Sequence, residues 1–350
     1  MKSLINGLQD ITPVDFETSW SSPANIAFVK YWGKKGHQLP ANPSLSLTLN
    51  DCKTTTSVKF SLLDELDVSL NFDGNNNDKF AAKIKNYLLT LQTDLPWIHH
   101  LGVEIKTSNT FPHGAGIASS ASGLSAFALC LADYIKHLTR SNDHDNFLKQ
   151  ASFLSRLASG SACRSIYGGF TTWGESELLD SSDYYATPMS VHPELVNLCD
   201  SILVINSQEK NVSSRAGHGQ MGAHAFAEAR YTQARDNFNL SVSALKHGDI
   251  EAVGKILEAE AFSLHAMMLT SPNPYTLLKP NSLAAIEILH DFRNETGLPV
   301  YFTLDAGPNL HLIYPESFKN KVLTFIGHEL SSLCENIIYD RNGEGPVKCY

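Results

Sequence analysis

Two rhythms of apolar residues run along the chain, and the change from one to the other organises it. In the first third, Leu45, Leu47 and Leu49 alternate with Ser46 and Thr48. Val68, Leu70 and Phe72 alternate with Ser69 and Asn71, and Leu101, Val103 and Ile105 keep the same spacing. Period-2 alternation predicts strands with one buried face. The segment DGNNND, Asp73–Asp78, predicts a turn. After it Phe80, Ile84, Tyr87, Leu88 and Leu91 recur at helical spacing, with Asp78 as N-cap. Helices are predicted over 119–135 and 146–158, and a strand over 201–207 (SILVINS). Helical patterns then dominate over 223–245, 250–269 and 282–292. VYFTLDAGPNLHLIY predicts a hairpin turning at Asp305, and a further helix and the strand NIIYD follow. Strands first and helices later, without strict alternation, predict an α+β fold rather than a doubly wound sheet.

Length and charge narrow this picture. The 350 residues suit two lobes of roughly 150 residues each. A boundary is expected near LLDSSDYYATP, giving lobes of about 1–190 and 191–350. The net charge of -9, with no basic run longer than Lys34-Lys35, argues against a nucleic-acid partner. The first residues, MKSLINGLQDITPVDF, lack the apolar core of a secretion signal. The longest uncharged stretch, 114–132, holds serines and glycines that suit a buried helix better than a membrane span. Six scattered cysteines without a CxxC pair predict reduced thiols, in keeping with a cytoplasmic protein. The histidines form no metal-binding pattern and are read as structural.

Four segments concentrate candidate chemistry. FPHGAGIASSASG, Phe111–Gly123, places a glycine-rich turn and Ser119, Ser120 and Ser122 before a helix. Exposed N–H groups and the positive end of the helix dipole suit a phosphate there. Neither a dinucleotide fingerprint nor a P-loop fits, because the third glycine and the Gly-Lys-Ser/Thr ending are missing. NIAFVKYWGKKG, Asn25–Gly36, clusters Lys30, Lys34 and Lys35 in an acidic protein, which can focus positive potential on an anion. SGSACRSIYGG, Ser159–Gly169, predicts a loop of small residues carrying Arg164, whose guanidinium can grip a carboxylate or phosphate through two bonds. Beside it, Cys163 reads as a small buried thiol. LDAGPN puts Asp305 at a strand end, placed to act as a base. Each also has a plain structural explanation: a packed glycine turn, solvated lysines, a distant ion pair and a turn-forming aspartate.

Taken in order, PANIAFVKYWGKKG, FPHGAGIASSASG, SGSACRSIYGGF and LDAGPN closely resemble the mevalonate diphosphate decarboxylases of the GHMP kinase superfamily, over residues 20–315. The resemblance implies a two-lobe α+β fold with its active site in the cleft between lobes. It implies ATP-dependent decarboxylation of mevalonate 5-diphosphate through phosphorylation of the 3-hydroxyl, with Mg²⁺ accompanying ATP, and a homodimer. Asp305 would orient or deprotonate the 3-hydroxyl, and Arg164 would hold the substrate carboxylate. Lys30 and Lys34 would stabilise phosphate charge, one of them keeping Asp305 ionised and supplying the lysine that the glycine-serine loop lacks. Tyr31, Ser159, Ser161 and Ser214 would contact the substrate diphosphate. Gly114, Gly116, Ser119 and Ser120 would cradle ATP, with Ser120 also toward Mg²⁺ and Ser108 and Asn109 near the nucleoside. The chain departs from the family pattern at His113-Gly114, and over Arg215–Gly222, read as an expansion of Ser-x-x-Gly-Met. Related alternatives are a 3-kinase, or a decarboxylase acting on mevalonate, its 5-phosphate or its 3,5-bisphosphate. A non-catalytic ligand sensor of the same fold is the alternative from another class.

Overall fold

The computed structural model describes the chain apart from residues 1–3, 6, 113–118 and 209–213 and the side chains of Ser119, Ser214 and Arg215. The first part of the chain builds a large sheet and its helical cover. It runs β1 (Phe16–Val29), a hairpin of β2 (Lys34–Lys35) and β3 (Leu39–Pro40), β4 (Ser44–Leu62), β5 (Asp67–Phe72), β6 (Asn75–Asn76), α1 (Asp78–Leu91) and β7 (Leu101–Asn109). There follow α2 (Ser119–Thr139), α3 (His144–Ala158), a 3₁₀ helix (Gly160–Ile166), β8 (Phe170–Trp173), β9 (Thr187–Met189) and β10 (Leu198–Val204). The remainder is α4 (Ser214–Gln220), α5 (Ala227–His247), α6 (Ile250–Leu269), α7 (Pro280–Thr296), β11 (Tyr301–Thr303), β12 (Leu310–Pro315), α8 (Lys319–Phe325), β13 (Asn336–Arg341) and β14 (Val347–Lys348).

The strands form an eight-stranded sheet ordered β14-β1-β4-β7-β5-β6, with β8 and β9 attached beyond β4, and a four-stranded sheet ordered β11-β12-β10-β13. The predicted α+β class and the hairpin around Asp305 are what the structure contains, β11 and β12 pairing antiparallel. On one face of the large sheet, Val58, Phe60, Val103 and Ile105 pack against Ile84 and Leu88 of α1 and Leu124, Phe127 and Leu131 of α2. The second half of β1 is covered differently. Ala24, Ile26 and Phe28 join Phe238 and Val242 of α5 and Leu257 of α6 in one core. The large sheet therefore hands the end of β1 directly to the C-terminal helices.

Three local expectations shift. The N-cap of α1 is Asn77, whose side chain accepts from Phe80 N–H, not Asp78, which is the first helical residue. The strand expected over 201–207 runs over Leu198–Val204. Its register is set by antiparallel ladders to β12 and β13 on its two sides. SGSACRS, expected as a loop, winds into the 3₁₀ helix.

Candidate active site

Strand β1 ends at Val29, and the next residue is held on every side. Lys30 N–H donates to Glu260 Oε2 at 2.8 Å, and Lys30 C=O accepts from Asn42 Nδ2 at 3.0 Å. Its ammonium donates to Ala27 C=O at 2.7 Å and to Asp305 Oδ1 at 3.1 Å. The Lys30 side chain is 2% exposed and that of Asp305 29%. Burial lowers the Lys30 pKa, while Asp305 and then Glu260 pull it back up. The backbone of Asp305 is fixed too: its C=O accepts from Gly307 N–H at 2.7 Å and lies 3.1 Å from His265 Nε2. A lysine and an aspartate 275 positions apart thus share one strand end.

Arg164 is brought to the same place by the 3₁₀ helix. Its Nε donates to Asn25 Oδ1 at 3.3 Å and its Nη1 to Ser44 Oγ at 2.8 Å. Asn25 is itself oriented by its Nδ2, which donates to Ser165 Oγ at 2.8 Å and Ser161 C=O at 3.3 Å. Both partners of the buried guanidinium are neutral, and no carboxylate lies within ion-pair distance among the described residues. The pair with a distant acid that sequence alone allowed is not formed there. Burial lowers the Arg164 pKa, and Asp305 is among the groups that oppose this. A buried cation with only neutral partners is costly until an anion arrives, so it is set to receive one. Burial pushes the adjacent Cys163 thiol up to about 12, which makes it inert as a nucleophile.

Tyr31 lines the same space. Its ring meets Trp173 edge-on at 4.6 Å, and its hydroxyl is buried without a partner among the described residues. A Cβ on Gly160 would stand 2.8 Å from that hydroxyl, so only glycine leaves room there. Ser159 caps the 3₁₀ helix and Ser161 lies in its first turn, both half-buried. Lys34 sits in β2, opposite Pro40 of β3. The hairpin is tied down by the buried Arg156, which donates from Nη1 to His37 C=O and from Nε to Tyr184 C=O, both at 2.9 Å.

The expected nucleotide side is described in part. Asn109, at the end of β7, accepts from Thr54 Oγ1 at 2.7 Å, and its Nδ2 is buried without a partner among the described residues. Ser108 precedes it and is exposed. Ser120 is exposed in the first turn of α2. Ser122 is buried, 2.7 Å from Thr54 Oγ1, so it belongs to the packing of α2 on β4 and not to a ligand surface. Gly114 and Gly116 lie outside the described residues, as do the side chains of Ser119 and Ser214, the latter opening α4. The Lys30 ammonium bonds to Asp305 and Ala27, and residues 113–118 of the glycine-serine loop, which it is expected to serve, lie outside the described residues. No group of three His, Cys, Asp or Glu is placed to hold a metal among them.

Sequence reading missed three residues of this cluster. Glu260 stands on the buried stripe of α6 with Val253, Leu257, Ala261 and Leu264, and an acid inside an apolar stripe was its one visible signal. Asn25 and His218 had none. The ring of His218 lies 4.4 Å from Tyr31 and 4.6 Å from Trp32, centroid to centroid.

Comparison with known proteins matches the chain along most of its length. Residues 22–186 match a family described as diphosphomevalonate decarboxylase-like N-terminal domain, and residues 201–346 one described as mevalonate 5-diphosphate decarboxylase C-terminal domain. The diphosphomevalonate decarboxylase of Debaryomyces hansenii is 30% identical over 328 residues, 89% of this chain and 82% of that protein. The crystal structure of mevalonate diphosphate decarboxylase from Staphylococcus aureus superposes with a TM-score of 0.84 at 28% identity, covering 96% of this chain and 99% of that one. A structure described as MDDEF in complex with MVAPP, AMPPCP and magnesium gives 0.83 at 29% identity, covering 96% and 99%. With both of its halves matched and a relative at this identity over most of its length, the chain belongs to the mevalonate diphosphate decarboxylase family.

Proposed function

We propose that the protein catalyses ATP-dependent decarboxylation of mevalonate 5-diphosphate, yielding isopentenyl diphosphate, ADP, phosphate and CO₂ by way of phosphorylation at the 3-hydroxyl. The observation that carries this is the placement of a buried arginine with only neutral partners beside a lysine–aspartate pair. One substrate with a carboxylate and a hydroxyl on neighbouring carbons satisfies both at once.

Asp305, held at Oδ1 by Lys30 and still 29% exposed, orients and deprotonates the 3-hydroxyl. Arg164 takes the substrate carboxylate through its planar fork, which fixes the carbon–carbon bond that must later break. Tyr31, Ser159, Ser161, Ser214 and Lys34 receive the diphosphate. The unpartnered Tyr31 hydroxyl supports this, since a buried donor without a bond costs about 1–3 kcal/mol. The residues present suit a nucleotide as well. Asn109 offers a buried, unpartnered Nδ2 beside the opening turn of α2, where the helix dipole favours negative charge. Ser108, Asn109, Ser119, Ser120 and the glycines at 114 and 116 would hold ATP, and Ser120 would face Mg²⁺. ATP supplies the phosphoryl group that makes the 3-oxygen a leaving group, and Mg²⁺ screens the polyphosphate. The related complex with AMPPCP and magnesium supports both.

The reading includes two lobes, 1–190 and 191–350, with the site between them, and a homodimeric cytoplasmic enzyme. The six free cysteines support a reducing compartment. The direct test is CO₂ release with ATP and Mg²⁺ from mevalonate, its 5-phosphate and its 5-diphosphate, each labelled at the carboxyl carbon. The 5-diphosphate is expected to give the highest kcat/KM, and preference for either of the others would overturn the substrate assignment.

A further inference from the structure

The Lys30–Lys34 turn carries four of the residues discussed above, yet it leaves the sheet at Val29 and makes an abrupt bend. Gly33 takes φ +111°, and a Cβ on it would collide with the Tyr231 ring of α5. Such a bend needs an external partner for its N–H, and the partner comes from α4. Gly33 N–H donates to His218 Nδ1 at 3.0 Å. The His218 ring is wedged beside Tyr31 and Trp32. The neighbouring residue shows how closely α4 docks, because a Cβ on Gly217 would stand 2.6 Å from the Trp32 ring and from the Tyr275 hydroxyl. Ser214 precedes His218 by four positions, one turn of the same helix.

We infer that His218 is a positioning residue for substrate binding: its neutral imidazole accepts from Gly33 N–H, latching α4 onto the Tyr31–Lys34 turn and holding both ends of the diphosphate site in register. The tautomer follows from the bond, since an Nδ1 that accepts leaves the proton of a neutral ring on Nε2. Enclosure of the ring, then the charges of Lys34 and Arg164, press the His218 pKa down to about 3. The latch is therefore closed throughout the neutral range. A residue that acts on Tyr31 and Lys34 governs how well the diphosphate is held, while Asp305 and Arg164 keep separate anchors in His265, Asn25 and Ser44.

This inference rests on the activity proposed above, and two variants test it. His218→Phe keeps a ring between the aromatics and removes the acceptor, whereas His218→Asn places an oxygen near the position of Nδ1. For His218→Phe, KM for mevalonate 5-diphosphate is expected to rise about tenfold, with kcat and KM for ATP within about twofold of wild type, and His218→Asn is expected to restore most of the loss. An unchanged KM in His218→Phe, a matched loss in kcat and both KM values, or a failure of Asn to restore binding would each overturn the assignment. Hydrogen exchange at the Gly33 amide reads the latch without any substrate. Faster exchange in His218→Phe and near-native exchange in His218→Asn are expected. Native protection in His218→Phe would refute the latch. A wild-type enzyme that shows this exchange pattern but releases no CO₂ from the 5-diphosphate would instead refute the proposed activity.

Discussion

Two buried ion pairs meet at the end of β1, and they are built to opposite ends. In the first, Arg230 and Glu260 are 2% and 0% exposed. Glu260 is saturated by the chain itself: it accepts from both terminal nitrogens of Arg230, from Asn237 Nδ2 at 2.7 Å and from Lys30 N–H. In the second, Lys30 is equally buried, but Asp305 retains 29% of its exposure. One pair is sealed and fixes where the strand stops. The other is left with a carboxylate that something outside the chain can reach. A sealed ion pair contributes little net stability and a great deal of geometric definition, whereas an open one keeps a charged group available for chemistry.

The contrast can be broken by substitution. Asp305→Asn is expected to lower kcat by about 10³-fold while nucleotide affinity, read by equilibrium fluorescence, stays within a few-fold. Near-normal turnover would remove Asp305 from the chemistry and make its pair merely a second structural one. Glu260→Gln should act in the other currency. It leaves Arg230 buried without a full charge partner, and about 3 kcal/mol of stability should be lost in denaturant unfolding, with kcat falling far less than in Asp305→Asn. A loss of kcat matching that of Asp305→Asn would erase the distinction between the pairs. Arg164→Lys removes the fork but keeps the charge, and about a 10²-fold loss in kcat/KM is expected. A rate within a few-fold of wild type would show that no carboxylate is held there.

The smallest effect concerns pH. The His218 pKa is pressed from 6.5 to about 3 by enclosure, Lys34 and Arg164. The unfolded chain takes up a proton below pH 6.5 that the folded chain refuses, so stability falls as pH drops. Relative to pH 8, the loss at pH 5 from this group is about 2 kcal/mol. In urea unfolding, the fall in unfolding free energy from pH 8 to pH 5 should be larger for the wild type than for His218→Asn by about that amount. An equal fall in both would mean that the ring is not shielded.

Much of this was legible because certain chemistry demands certain residue types. Lys30, Arg164 and Asp305 stood out as charges among small or apolar neighbours, and the hairpin around Asp305 and the helix over 250–269 fell where periodicity placed them. What stayed hidden depends on long-range pairing. Every residue from Leu198 to Val204 is buried, so that strand offers no alternation to fix its ends, and its neighbours on both sides decide them. The 3₁₀ helix, GSACRSI, is mostly small residues and shows no apolar period. Nothing in GHG around His218 signals a ring wedged between aromatics nearly two hundred positions earlier, and Ser122 could not be told from Ser120 until α2 was laid against β4.

The bond from Glu260 to the Lys30 amide bears on how such a protein can change over time. Lys30 and Arg164 come from the first half of the chain, and Asp305, Glu260 and His218 from the second. Neither half holds the lysine–aspartate pair alone, so a half taken from a relative is expected to keep it only if the facing surfaces come with it. The two halves are one heritable unit, joined by the Lys30–Asp305 pair, by the bonds to Glu260 and His218, and by the core that β1 shares with α5 and α6.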